Sequence, residues 1–335
     1  MKKLFLSLAI ISVMLTSCTS DNVGVNIWGK RVTFTISVDV PELATRSGET
    51  GMDSGSGAID NFSADEWDNF DLRYIVEVYE VVNGEVNQGS PIISRITKTF
   101  DEYSDSGTSF DVRLAPNRDY RVVVWADFVE QGKSEDLHYD TADLRAIKRK
   151  TPNTAMDECQ DAYFIKQDIH VGSSKLSKDL VLKRPFGKIR VVTTDYDQAN
   201  NNAKPKSIKV TFYNHTLYTT LDAVTGVASG ETHNEYTYTV AKDAPYTQGY
   251  DANEKNMTLF ADYILAGDNA QEVNFTLNAW DDSGKLIKSL DFNTQIPLGR
   301  NKLTTIMGDM LTRQSQVDVS VDDNMDGETI IDIKD

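Results

Sequence analysis

The sequence predicts an all-β protein made of two tandem β-sandwich domains. Short segments of alternating or continuous apolar residues recur at roughly ten-residue spacing, the mark of strands in a sandwich. Gly, Asn and Asp clusters separate them, as tight turns require. The pattern then breaks with proline and glycine at Lys183-Arg184-Pro185-Phe186-Gly187 and restarts, which places a domain junction there. A chain of 335 residues is long enough for two domains of ordinary size. The expected parts are an N-terminal segment 18–46, a linker 47–60, a first sandwich 61–183 and a second sandwich 184–335 with terminal strands.

Residues Met1 to Ser17 read as a targeting segment. Lys2 and Lys3 form a positive start and Leu4 to Leu15 a short apolar core. Leu15-Thr16-Ser17-Cys18 then resembles a bacterial lipobox, which makes Cys18 the lipidated first residue of the exported chain. Acyl chains there anchor a protein to a membrane surface without spanning it, and an outer-membrane location is expected. Loss of residues 1–17 removes two lysines and takes the formal charge from -17 to -19. So acidic a chain repels phosphate backbones, and nucleic-acid binding is not expected.

Val32 to Val40 (Val-Thr-Phe-Thr-Ile-Ser-Val-Asp-Val) alternates without a fault, the period of a half-buried strand. Pro41 ends it, Arg46 follows, and the Gly/Ser/Asp tract of residues 47–60 reads as a flexible linker. Strands are then expected at Leu72 to Val82, Ile92 to Phe100 and Thr108 to Leu114. Tyr120 to Ala126 is nearly all apolar and suits a strand buried on both faces. Leu144, Ile147 and Lys148 fall at helical spacing and predict a short helix over Thr141 to Arg149. Ala162 to Val171 and Leu176 to Leu182 return to strand character.

After the junction, strands are expected at Lys188 to Thr193, Ser207 to Tyr213, Leu217 to Val224, Glu235 to Val240 and Met257 to Leu265. Glu272 to Trp280, Leu286 to Phe292, Lys302 to Ile306 and Val317 to Val321 continue the series, and Thr329 to Ile333 closes it. Val124-Trp125-Ala126-Asp127-Phe128 is echoed by Leu259-Phe260-Ala261-Asp262-Tyr263, an internal similarity between the two halves.

Motifs for catalysis are missing from the sequence. The histidines (His138, His170, His215, His233) stand singly, without metal-ligand spacing, and neither a nucleophile elbow nor a phosphate loop occurs. No enzyme activity and no cofactor are expected. Cys159 has no partner for a disulfide once Cys18 carries lipid, and it reads as a small hydrophobe or a loop thiol. Asp322, Asn324 and Asp326 match the opening of a calcium loop, but Ile333 stands where the closing glutamate belongs, so an Asx-rich turn is preferred. Trp125 reads as core. Trp28, Trp67 and Trp280 lie near strand ends or loops, which leaves a glycan-binding surface lipoprotein as the alternative reading.

Two further stretches carry a family resemblance. Arg184-Pro185-Phe186-Gly187-Lys188-Ile189-Arg190-Val191 at the junction and Pro297-Leu298-Gly299-Arg300-Asn301-Lys302-Leu303-Thr304-Thr305-Ile306 resemble segments of the fimbrillin-type lipoproteins of Bacteroidales, subunits of type V pili. The resemblance implies transthyretin-like, Greek-key sandwiches and a subunit or pilus-associated protein. It also implies an arginine-specific cut between Arg46 and Ser47 that removes the first strand. A terminal strand of another subunit, Thr329, Ile330, Ile331, Asp332 and Ile333 (with Val317 to Val321 as a further part), then fills the vacated place. The implied partners are other pilus subunits or a second copy of the chain, the outer membrane through the lipid, and host or bacterial surface ligands. The implied location is the outer membrane, or the fimbrium after processing. Asp140-Thr141-Ala142 also resembles an O-glycosylation acceptor of Bacteroidota.

Overall fold

The computed structural model describes residues 32–39, 69–100, 108–151, 155–200, 204–213, 217–232, 235–239, 250–251, 256–269, 271–312 and 318–322. The fold is all-β, with one 3-10 turn among the described residues, at Glu158–Gln160. The first half begins with β1 (Val32–Asp39), β2 (Phe70–Val82), β3 (Glu85–Val86), β4 (Ile93–Phe100), β5 (Thr108–Leu114) and β6 (Arg118–Glu130). It continues with β7 (Tyr139–Asp140), β8 (Ile147–Arg149), β9 (Ala162–Val171) and β10 (Leu176–Val181). The second half opens with β11 (Phe186–Thr193), β12 (Ser207–Tyr213), β13 (Leu217–Asp222), β14 (Val227–Thr232), β15 (Glu235–Thr239) and β16 (Tyr250–Asp251). It ends with β17 (Asn256–Leu265), β18 (Gln271–Trp280), β19 (Leu286–Leu298), β20 (Lys302–Gly308) and β21 (Asp318–Asp322).

The first core lies between two sheets. A three-stranded sheet of order β10-β1-β5 faces a larger one of order β3-β2-β6-β9, with β4 also paired to β2. Strand β5 shows why the layers form. Phe110, Val112 and Leu114 are buried while Ser109, Asp111 and Arg113 are exposed, the alternation of a strand with one wet face. Strands β2 and β6 have no wet face over most of their length. Tyr74, Val76, Val78, Tyr120, Val122, Val124 and Ala126 belong to the first core. The intervening Ile75, Tyr79, Val123 and Trp125 belong to a separate cluster on the opposite face. The continuous apolar run around Trp125 is thus accounted for by burial on both sides, and the Trp125 ring meets Tyr139 edge-on at 5.3 Å between centroids.

That opposite face is covered by a sheet drawn from both halves of the chain, of order β14-β13-β8-β7. Here the expected helix over Thr141 to Arg149 is corrected. Leu144 and Ile147 are both buried in the second-face cluster, but from a turn and from β8. Asp140 and Asp143 accept bonds from the backbone N–H groups of Ala142 and Arg145, an Asx arrangement that competes with helix. The turn after β13 delivers Ala223 and Val224 into the same cluster, and Ala223 N–H donates to the Leu144 carbonyl. Arg121 donates to the Val224 carbonyl at 3.0 Å, and Lys166 to that of Thr225. At Gly226, φ is +77° and an added Cβ would lie 2.8 Å from Lys166, so glycine suits both the turn and the close approach.

The second core lies between sheets β16-β17-β11-β20-β21 and β15-β12-β18-β19. Phe212, Phe275 and Phe292 stack through it at 5.1 and 4.7 Å. Strands β14 and β16 lie outside the segments the sequence pattern predicts as strands, and β19 runs on to Leu298, past the expected end at Phe292. After β20 the chain is pinned by Asp195, which is fully buried. Its carboxylate accepts from the N–H groups of Met310, Leu311 and Thr312 and from the hydroxyls of Thr193 and Thr312. Burial alone would raise its pKa, but these bonds outweigh burial and hold it below the ordinary 3.8. A depressed folded pKa gives stability that is complete above the unfolded value and is lost as pH falls through the folded one. Denaturant melts taken downward from pH 4 are therefore expected to show a loss of stability that Asp195→Asn removes. An unchanged acid limb in that variant would overturn the assignment.

Candidate functional site

Strand β1 is the middle strand of its sheet. It pairs parallel to β10 from Phe34↔Leu176 to Asp39↔Val181, and antiparallel to β5 from Val32↔Leu114 to Val38↔Thr108. An edge strand can leave and expose one row of backbone groups, but the loss of a middle strand exposes two rows that face each other. β5 and β10 would then stand about 9.6 Å apart, one strand's width, with a strip of the first core open between them. The register places Val32, Phe34 and Ile36 opposite three buried residues of β5, Leu114, Val112 and Phe110. On the solvent face the Thr35 hydroxyl donates to Asp111 Oδ1 at 2.6 Å, and Thr33 lies opposite Arg113.

Arg184 and Lys188 of the junction motif form buried ion pairs, and Arg149 a partly buried one. Arg184 lies 2.7 Å from Asp161 and donates to the Tyr163 hydroxyl at 3.0 Å. Lys188 lies 2.6 Å from Glu158, whose other oxygen accepts from the Tyr263 hydroxyl at 2.7 Å. Arg149 forks onto Asp262 with two bonds of 3.1 Å. The pairs link residues from both sides of the predicted junction. The motif's glycine is explained by contact, since a Cβ on Gly187 would lie 2.7 Å from the Gly299 carbonyl. That approach brings the two motif stretches side by side, because β11 pairs parallel to β20 from Gly187↔Lys302 onward. Arg300 donates to the carbonyls of Ala266 and Gly226 at 2.8 and 2.7 Å and covers the Phe164 ring.

The internal echo also has a physical content. Asp127 and Asp262 are both buried and each is paired with an arginine, Arg73 and Arg149. Arg73 also reaches Asp136 at 2.8 Å. Burial disfavours its charge, but the two carboxylates outweigh burial and raise its pKa.

Several sequence-predicted residues fall outside the described part: residues 1–17, Cys18, Trp28, Arg46, Ser47, the linker 47–60, Trp67, Asn324, Asp326 and Thr329 to Ile333. Asp322 is the last residue of β21. Cys159 is buried in the first core, and Trp125 is buried as expected. Trp280 ends β18 and is half-buried. The glycosylation reading of Thr141 is corrected. Thr141 is buried, its hydroxyl donates to Asp136 at 2.7 Å, and it accepts from Arg73. A transferase has no access to it in the folded chain. Among the described residues no group of three His, Cys, Asp or Glu side chains is placed to hold a metal.

A family model matches residues 26–334, nearly the entire chain. The chain belongs to DUF6562, a family of unknown function. Comparison with curated proteins found no match for this DUF6562 chain. Among solved structures it is similar to a candidate cell adhesion protein from Bacteroides ovatus, at 14% identity and a TM-score of 0.46, over 88% of this chain and 98% of that one. It is similar to a candidate polysaccharide binding protein from Bacteroides thetaiotaomicron, at 11% identity and a TM-score of 0.48, over 87% of this chain and 95% of that one. A fimbrial assembly protein from Parabacteroides distasonis shows 11% identity and a TM-score of 0.40, over 90% of this chain and 99% of that one.

Proposed function

We propose that this DUF6562 protein is a non-enzymatic cell-surface protein of the fimbrial type, exported as a lipoprotein through Cys18. In this reading it is assembled by strand exchange after a cut between Arg46 and Ser47. The observation that carries the reading is the central place of β1 in the sheet β10-β1-β5. Its neighbours are fastened to the rest of the first half by their own core residues, Phe110, Val112 and Leu114 on β5 and Leu180 on β10. The cut would detach the protein from its lipid and, once β1 leaves, open a receptive slot. Left uncut, β1 closes the first core and the protein stays on the membrane. Its partners are copies of itself or other subunits of the same assembly.

The test is mass spectrometry of the protein extracted from the cell surface, combined with electron microscopy of the same fraction. A mature N-terminus at Ser47 together with heat-sensitive ladders or fibres is the expected result. A population made up only of lipidated Cys18 monomers, still monomeric after cutting at Arg46, would overturn strand exchange.

A further inference from the structure

Two side chains at the seam between the halves carry buried polar atoms that have no hydrogen-bond partner among the described residues. His138 immediately precedes β7, and its Nε2 is one of these atoms. Gln160 closes the 3-10 turn Glu158–Gln160, and its Oε1 is the other. Both side chains lie against the same carboxylate. The Gln160 amide donates to Asp157 Oδ2 at 3.3 Å, while His138 Nδ1 stands 3.8 Å from that oxygen, beyond hydrogen-bond reach. Asp157 Oδ1 accepts the Cys159 N–H at 3.0 Å and so caps the turn.

The turn matters because of what it carries. Glu158 neutralises Lys188 and accepts from the Tyr263 hydroxyl, and Asp161, directly after the turn, neutralises Arg184. Lys188 and Tyr263 belong to β11 and β17, so the turn fastens one half to the other. The charges facing His138 come from three places. Asp157 faces it from the turn, and Arg149 and Lys150 face it from the end of β8. Arg149 is already forked onto Asp262 of β17. Lys150 donates its ammonium to the Asp136 carbonyl at 2.5 Å and its N–H to that of His138 at 2.8 Å. On the segment of His138 itself, the Asp136 carboxylate is taken up by Arg73 and Thr141.

We infer that His138 is an acid-sensitive latch on this seam. As a neutral ring it leaves Asp157 to cap the turn; as an imidazolium it draws Asp157 off the cap and loosens the segment that neutralises Lys188 and Arg184. An imidazolium carries a proton on both ring nitrogens, so the buried Nε2–H needs an acceptor and the charge needs an anion. Arg149 and Lys150 repel that charge. Asp157 is the carboxylate that answers it, by closing the gap of 3.8 Å to a charge-assisted bond.

The fold favours the neutral ring. Burial holds the His138 pKa below the ordinary 6.5; Asp157 opposes this, and Arg149 and Lys150 reinforce it. A lowered folded pKa gives stability that is complete above the unfolded value and is lost as pH falls from there to the folded one. One proton taken up on unfolding costs at most about tenfold in the folding equilibrium constant per pH unit. This window lies above the one assigned to Asp195, so the two acid responses separate.

The whole protein is followed from about pH 7.5 to about pH 5, the range in which histidine changes charge. NMR of the imidazole Cε1–H signals is expected to show His138 titrating below 6.5 in the folded chain. Denaturant melts are expected to weaken by at most about tenfold in the folding constant per pH unit. Hydrogen exchange, corrected for its intrinsic pH dependence, is expected to rise at the Cys159, Gln160 and Asp161 amides while the amides of β18 keep their protection. His138→Gln takes up no proton in this range and is expected to flatten both responses. His170→Gln, at an exposed ring, is expected to leave them in place. Asp157→Asn still caps the turn but offers the imidazolium no charge, so exchange at the turn becomes independent of pH although the melts still weaken. The latch is overturned if His138 titrates at or above 6.5, or if His138→Gln keeps the parent's slope. It is equally overturned if exchange at the turn is flat in the parent or still rises with acid in Asp157→Asn. Should His138→Gln not fold, titration and exchange in the parent and in Asp157→Asn decide.

Discussion

Arg184→Ala is expected to destabilise the protein by about 3–5 kcal/mol, because it leaves the Asp161 carboxylate buried without its ion partner. Asp161 is fully buried and Arg184 nearly so. Arg184 also packs over the Tyr163 ring, so alanine removes apolar contact together with charge. Denaturant unfolding of Arg184→Ala and of Arg184→Met paired with Asp161→Leu separates the contributions. The double variant should recover most of the loss, since removing both charges also removes the penalty of burying them. A single variant within about 1 kcal/mol of the parent would show that the junction pair has little structural weight. Lys188 and Glu158 form a second buried pair nearby and are left intact by this design.

The second large effect is expected from Ile36→Pro in the uncut chain. Every backbone N–H of a middle strand is committed to one neighbour or the other, and proline deletes one at the centre of β1. The lost bond and the carbonyl left without a donor together cost about 3 kcal/mol. The damage should be confined. In hydrogen exchange, amides of β5 and β10 are expected to lose protection while those of β12 and β18, in the second core, keep theirs. Equal protection throughout would mean that β1 adds nothing to the sheet, and the slot reading would lose its support.

The legible part of the fold is the part governed by local pattern. β5 and β12 alternate cleanly, and these two strands and β9 match their expected limits residue for residue. The spacing of Leu144, Ile147 and Lys148 predicts a helix over Thr141 to Arg149, but a turn and a short strand bury Leu144 and Ile147 at that same spacing. Strand β14 carries no strand signal, because Val-Ala-Ser-Gly-Glu-Thr has no apolar alternation and sits at a sheet edge. The site was legible in one respect only. The faultless alternation of Val32 to Val40 marked a strand, but nothing local marks it as a middle strand rather than an edge. That depends on Leu176 to Val181 arriving in parallel, more than a hundred residues later. The junction arginine and lysine were recognisable as a motif, yet Asp161 and Glu158, which neutralise them, lie in a segment with no pattern of its own.

The sheet that takes β7 and β8 from one half and β13 and β14 from the other leaves no pivot between the two cores. Tension entering at one end of such a molecule is carried across backbone hydrogen bonds and buried ion pairs rather than through a pliable tether. In the assembly proposed above, compliance would then lie at the joints between molecules, each unit behaving as a stiff link.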